Sequence, residues 1–400
     1  MKKKILIFSH AMELGGAEAS LLGLLDSINT NEYEVDLFLM RHSGELLKYI
    51  PESVNLLPQN KKYAALMFPI ASLIKRGQWL IVALRLLAKF LASFKVKKLK
   101  ISGENSIQLE YSHKFTKCIM PKISDKNYDL AISFLTPHYF VAEKVKAKKK
   151  FAWIHNDYAN TKIDVKSETR MWSKFDKIIS ISDNATNSFV QTFPSLANKV
   201  TVIENIICKS YIDNLTDKFT VETEMVNDGS IKLLSIGRFC HAKNFDNIPQ
   251  ICKLIRESGL NVKWYIIGFG GDEPLIRKKI AEYGMQDYVI VLGKKENPYP
   301  YIKACDIYVQ PSRYEGKSIA VREAQILHKP VIITDFPTSG NQLKNGFDGA
   351  IVPMEINGCA SAICDIINNN DLLQLFVKNT SLDDYTNSDE IFKFYNIIKN

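Results

Sequence analysis

The chain has 400 residues, 46% of them hydrophobic and 24% charged, and 52 Lys and Arg against 43 Asp and Glu give a formal charge of +9. That length and apolar share are those of an ordinary globular protein with ample core, arranged as two or three domains. Seven cysteines, scattered, odd in number and without metal-ligand spacing, exclude a disulfide framework and point to a reducing cytoplasm.

Residues 4–9 (KILIFS) read as a first strand, because the apolar run is too short, and too soon interrupted by Glu13, for a signal peptide or a membrane span. A helix through Ala19, Leu22, Leu25 and Ile28 follows. Gly15 and Gly16 at its start either let the backbone approach a ligand or serve a plain strand-to-helix turn. Strands at 33–40 and 54–57 continue the alternation of a parallel sheet covered by helices.

From about 63 to 99 a long apolar and basic helical stretch is expected, broken at Pro69 and Gly77. Gln78, Arg85 and Lys89 share one arc, Trp79, Ile81, Val82, Leu86, Leu87, Phe90 and Leu91 cover much of the rest, and Lys95, Lys97, Lys98 and Lys100 follow. Its uncharged runs fall short of the ~20 residues that span a bilayer, so the stretch either lies on a membrane surface or packs on its own domain. The basic excess belongs to this half: 31 Lys and Arg against 20 Asp and Glu up to residue 213, then 21 against 23. Such a half suits an anionic membrane, nucleic acid or a phosphorylated substrate, or simply solubility.

Strands at 128–134 and 150–154 come next, and the second delivers His155, Asn156 and Asp157 to the sheet edge where open parallel sheets bind ligands. Strands at 177–182 and 200–203 complete the first sheet. Residues 206–230 are polar and aperiodic and read as a hinge. A second alternating domain starts at Ile231, with a strand to Ile236, a turn at Gly237-Arg238, and after Lys243-Asn244 a helix through Ile248, Ile251, Cys252 and Ile255. The strand 262–267 leads into Gly268-Phe269-Gly270-Gly271, which lacks the third Gly of a dinucleotide fingerprint. The next strand, 288–292, ends in Gly293 and Lys294 instead of a ribose-binding acid, which disfavours a dehydrogenase.

The second half centres on residues 308–325, YVQPSRYEGKSIAVREAQ, a strand, a turn-rich loop and a helix starting at Ser318. Glu315 and Glu323 stand eight positions apart with the helix N-terminus between them. The helix rises ~7 Å from Ser318 to Glu323, so a diphosphate at its tip would reach a sugar near Glu315 and a ribose near Glu323. Two Glu at this spacing also occur by chance in soluble helices. Strands at 331–334 and 350–352 follow, then helices, the last near 388–399 with Ile391, Phe392, Tyr395 and Ile398 on its apolar face.

Gly237-Arg238 with Lys243-Asn244, Ile266-Ile267-Gly268-Phe269-Gly270, Val291-Leu292-Gly293, Ala304-Cys305-Asp306 and the 315–323 stretch resemble, in order and spacing, the retaining nucleotide-sugar glycosyltransferases of family 4, glycosyl transferases group 1, of capsule, exopolysaccharide and lipopolysaccharide type. The first half is similar less tightly, through Gly15-Gly16-Ala17-Glu18, Trp153-Ile154-His155-Asn156-Asp157, Ile181-Ser182 and Asn205. The resemblance implies the α/β GT-B architecture, two Rossmann-like domains with parallel sheets facing an interdomain cleft. Residues 1–207 would be the acceptor domain, with the basic insertion near 63–100, 208–230 the hinge, 231–385 the donor-binding domain, and 386–400 a helix crossing back.

It also implies roles. Arg238 and Lys243 would bind the donor diphosphate, with Gly237 in the same turn, Glu315 would contact the transferred sugar and Glu323 the ribose. The backbone of Lys317, Ser318 and Ile319 would cradle phosphate, Gly16 would lie beside the phosphates, His155 would face the reacting centre and Asp157 the acceptor. Where many relatives carry Phe-Gly after the Glu-Gly of the signature this chain has Lys317-Ser318, which bears on the donor sugar. No Asp lies two positions from another, so no metal or other cofactor is expected. The expected partners are a nucleoside diphosphate sugar, a glycan or lipid-linked acceptor and an anionic membrane at the inner face, with no nucleic acid. The alternatives are a nucleotide-sugar epimerase of the same architecture and a non-catalytic basic protein binding membrane or nucleic acid.

Overall fold

The computed structural model describes residues 2–13, 15–101, 105–155, 158, 161–315 and 318–399. The chain divides into two compact units, one running to Ile207 and resumed from Asn387, the other Cys208–Thr386. In the first, β1 (Lys3–Ser9), β2 (Tyr33–Leu39), β3 (Asn55–Leu56), β4 (Asn127–Ser133), β5 (Lys146–Ile154), β6 (Lys177–Ser180) and β7 (Val200–Val202) form a parallel sheet in the order β3-β2-β1-β4-β5-β6-β7. Ile5 to Phe8 of β1 are fully buried, as expected of a parallel strand covered on both faces.

The helices α1 (Gly16–Ser27), α2 (Lys61–Leu66), α3 (Ile70–Lys75), α4 (Trp79–Lys98), α5 (Ile107–Thr116), α6 (His138–Lys144) and α7 (Val165–Trp172) belong to this unit. The long basic stretch breaks where expected, with Pro69 capping α3 and Gly77 at φ +67 ahead of α4. The packing of α4 differs from the expectation. It buries Ile81, Val82, Ala88 and Ala92, and the last two, both small, let it lie close along α5 at Ile107 and Tyr111. Its large apolar side chains face outward: Phe90 is 70% exposed and Trp79 63%, with Leu80, Leu86, Leu87 and Phe94 also exposed. Arg85, placed by periodicity on the polar arc, instead turns in and donates to the Phe68 carbonyl at 2.6 Å.

The helix Glu390–Lys399 completes the first unit. It buries Ile391, Phe394 and Ile398, and Tyr395 stacks on Tyr33 at 5.3 Å while its hydroxyl accepts from the Asn29 backbone N–H at 2.7 Å. Phe392, expected on the apolar face, is exposed, and Phe394 takes that place.

The second unit holds β8 (Ile231–Ile236), β9 (Val262–Ile267), β10 (Val289–Gly293), β11 (Ile307–Gln310), β12 (Val331–Thr334) and β13 (Ala350–Val352), parallel in the order β10-β9-β8-β11-β12-β13. Its middle is tied by a buried relay in which Trp264 Nε1 donates to Ser235 Oγ at 2.9 Å and Ser235 Oγ to the Val309 carbonyl at 2.5 Å, linking β9, β8 and β11. The supposed hinge is partly helical. Residues Lys209–Thr216 form a helix burying Tyr211, Ile212 and Leu215, with Tyr211 edge-on to Tyr299, because three apolar side chains on one short face suffice to dock it.

Candidate functional site

In the second unit the loops leaving β8 and β11 at their carboxyl ends converge, at the edge and switch point where open parallel sheets take ligands. Lys243 ends a short turn, and its ammonium forms an ion pair with Glu315, both side chains mostly sheltered. Glu315 is held from below by a chain of hydrogen bonds rising out of β11. Tyr308 OH donates to Gln310 Oε1 at 2.8 Å, Gln310 Nε2 to Ser312 Oγ at 3.0 Å, and Ser312 Oγ to Glu315 Oε1 at 2.8 Å. Tyr308, Gln310 and Ser312 are fully buried, so the carboxylate is aimed by a rigid strand.

Gly237 leaves room for the lysine: a Cβ there would lie 3.1 Å from Lys243 Cε. Gly268, at φ +153, brings the next loop so close that a Cβ would meet the Gly237 carbonyl oxygen at 1.9 Å. The glycines that half-match a dinucleotide fingerprint thus serve loop-to-loop packing. Arg238 is exposed and, among the described residues, has no ion-pair partner.

Two residues that sequence reasoning passed over fix this geometry. Arg313 grips the β8 loop: its guanidinium donates to both carboxylate oxygens of buried Asp246 at 2.8 and 2.9 Å and to the His241 carbonyl at 2.7 Å, and its backbone N–H donates to Ala242 O at 2.8 Å. Burial alone would raise the Asp246 carboxyl, and the Arg313 hydrogen bonds and charge bring it below its ordinary value. Arg313 sits inside the loop already singled out, but a partner 67 positions away leaves no trace in spacing.

The helix Ile319–Ile326 starts at Ser318, as expected. The Ser318 backbone N–H, expected to be free for phosphate, is occupied by Gln342 Oε1 at 2.6 Å, while Ile319 opens the first turn. Glu323 is half-buried and accepts from Tyr299 OH at 2.9 Å. Burial pushes it up to about 6, the Tyr299 hydrogen bond opposing. Lys317 lies outside the described residues, as does Asp157.

In the first unit, Gly16 opens α1, and His155 follows β5 with its ring 4.7 Å from Phe134. Burial lowers His155 to about 4, so it is neutral near pH 7, and its Nε2 is buried without a hydrogen-bond partner. Among the described residues no cluster of His, Cys, Asp or Glu could hold a metal.

These two doubly wound parallel units have the GT-B fold. The structure of Anabaena Alr3699/HepE in complex with UDP and glucose matches with a TM-score of 0.63 at 16% identity over 98% of this chain and 99% of that one. A TarM point mutant from S. aureus, bound to fondaparinux, alpha-GlcNAc-glycerol and UDP, matches with a TM-score of 0.66 at 15% identity over the whole of both chains. Residues 218–382, most of the second unit, match the family model of glycosyl transferases group 1. The poly(ribitol-phosphate) alpha-N-acetylglucosaminyltransferase of Staphylococcus aureus is 25% identical over 169 residues, 40% of this chain and 34% of the relative. An uncharacterized glycosyltransferase of Methanocaldococcus jannaschii is 27% identical over 42% of each. In these two the match thus spans well under half of the relative's length. The UDP-Gal:alpha-D-GlcNAc-diphosphoundecaprenol alpha-1,3-galactosyltransferase of Escherichia coli aligns over 96% of this chain and 91% of its own length at 22% identity.

Proposed function

We propose that the protein is a glycosyltransferase of surface polysaccharide biosynthesis that moves a sugar from a nucleoside diphosphate sugar to a glycan or lipid-linked acceptor, with retention at the anomeric carbon. The observation that carries this reading is the convergence of Lys243, Glu315 and the Glu323 helix at the carboxyl edge of one sheet. Arg238 and Lys243 supply fixed positive charge where the leaving diphosphate gains negative charge. Glu315 meets the transferred sugar, Glu323 accepts from ribose hydroxyls, and Gly237 and the first turn from Ile319 give the phosphates backbone approach, the Ser318 N–H being taken by Gln342. In the first unit the family resemblance offers His155, Gly16 and Asp157 as candidates. The names of the relatives favour transfer over epimerisation.

Glu323→Ala is expected to weaken nucleoside diphosphate binding by about 10- to 100-fold, the loss of one or two hydrogen bonds to a charged group. Titration calorimetry with UDP and GDP measures it, and affinity equal to the parent's would remove Glu323 from the ribose. Transfer should need no divalent metal, because Arg238, Lys243 and the helix start at Ser318 balance the diphosphate. Turnover abolished by EDTA and restored by magnesium or manganese would overturn that assignment.

The reading places the protein in the cytoplasm at the inner membrane face. No helix among the described residues is long and apolar enough to cross a membrane. The outward Trp79, Leu80, Phe90 and Phe94, beside exposed Lys89, Lys97 and Lys98, instead suit peripheral contact with anionic lipid. Each such lysine contributes about 1 kcal/mol, so changing all three to Glu should lower affinity for anionic vesicles on the order of a hundredfold at low salt. Sedimentation unchanged by that variant would argue against the contact.

A further inference from the structure

A pocket in the first unit is not accounted for by the donor site. It is enclosed by α5, by the start of α6 where the chain leaves the carboxyl end of β4, and by α7. Its volume is about 80 Å³. On the same measure a water needs roughly 10–15 Å³, so the space admits about six water-sized groups, one edge of a sugar ring and not a whole disaccharide.

The wall combines apolar surface from Leu109, Pro137 and Tyr139 with two carboxylates, Glu110 and Glu168. The first of them is short of a donor. Glu110 Oε1 accepts from Tyr139 OH and from Ser167 Oγ at 2.7 Å, but its Oε2 is buried with no partner. Glu168 is 6% exposed, and the hydroxyl of Tyr158 lies a long 3.3 Å from its Oε2. A buried carboxylate oxygen without a donor is costly and calls for a group that arrives from outside. The neighbourhood is already supplied with cations, since Lys95 pairs with Asp164 at 3.0 Å and Lys114 donates to Ser167 Oγ at 2.5 Å. An ammonium ligand would meet like charge there, whereas neutral hydroxyls donate without adding any.

We propose that this pocket is a carbohydrate subsite that takes one edge of a neutral pyranose, its hydroxyls donating to Glu110 and Glu168 and its C–H face covered by the apolar wall. A few placed polar groups on a mostly apolar concave surface are the usual make-up of a small-molecule site. That the bound sugar belongs to the acceptor rests on the transferase reading above; that the pocket binds a sugar does not.

The test is saturation-transfer NMR on the full chain with the methyl α-glycosides of glucose, galactose, N-acetylglucosamine and N-acetylgalactosamine at millimolar concentration. At least one is expected to receive saturation from the parent. Leu109→Trp, at an exposed position on the rim, should abolish the signal, and Glu110→Gln should weaken the affinity about tenfold, as for the loss of a hydrogen bond to a charged acceptor. Binding that survives Leu109→Trp, or no saturation of any glycoside, which would leave water as the sole occupant, overturns the proposal. A parallel thermal-shift measurement with UDP and GDP separates the two readings. A nucleotide shift without glycoside binding leaves the transferase and sinks the subsite, and glycoside binding without a nucleotide shift does the reverse.

Discussion

Lys243→Ala is expected to lower turnover on the order of 10²- to 10³-fold, the effect of removing one well-placed donor to charge that develops in the transition state. Affinity for the ground-state donor should fall much less, because the diphosphate bears less charge at its bridging oxygen before the bond breaks. The ion pair adds a second signature. Losing the lysine strands Glu315, which keeps the Ser312 hydroxyl as a donor but no counter-charge. Glu315→Gln added to Lys243→Ala should therefore cost less than the two single changes combined, since the pair acts as a unit. Turnover and donor KM measured for the four proteins decide it, and a Lys243→Ala enzyme with the parent's turnover would remove the lysine from catalysis.

The largest expected effect on stability lies at Glu168. Burial first, and then the nearby Glu110 charge, push its carboxyl up to about 7. The folded chain thus holds a proton there that the unfolded chain releases near pH 4.5, and wherever the folded state binds more protons stability falls as pH rises. The loss should run from about pH 4.5 to 7 and persist above it, reaching roughly 3 kcal/mol at about 1.4 kcal/mol per pKa unit. Glu168→Gln keeps the shape and removes the titration. Its thermal midpoint should match the parent's near pH 5 and exceed it near pH 8 by roughly 6–12 °C, the scale for a unit of about 200 residues. Parallel pH profiles for the two proteins would show that Glu168 ionises without penalty.

The strands were legible because both faces of a parallel sheet are buried, so β1, β9 and β12 carry the short apolar runs 5–8, 264–267 and 331–333, each bounded by polar or turn residues. The breaks at Pro69 and Gly77 were legible for a local reason, the φ that each residue imposes or permits. The outward face of α4 was not, since periodicity places residues on an arc but does not say which arc meets the protein. There the small Ala88 and Ala92 win the contact with α5 by allowing close approach. In the site, Glu315 and Glu323 were legible as charged residues beside a strand-loop-helix junction, and Lys243 only through the family resemblance. What holds them, namely Asp246 with Arg313, Tyr299 with Glu323 and Gln342 on Ser318, joins residues 24 to 67 positions apart that only the assembled sheet brings together.

The Tyr33–Tyr395 stack joins the start of β2 to the last helix of the same unit, two segments that the second unit separates in the sequence. Synthesis proceeds from the N-terminus at about 5–20 residues per second, so the first unit waits roughly 10 to 40 seconds for the segment after Asn387 to emerge. The second unit, contiguous in the chain, can close in that interval. Until then the strip of β-sheet and helix that Phe394 and Tyr395 will cover stands open on the ribosome-bound chain, a natural place for a chaperone to hold.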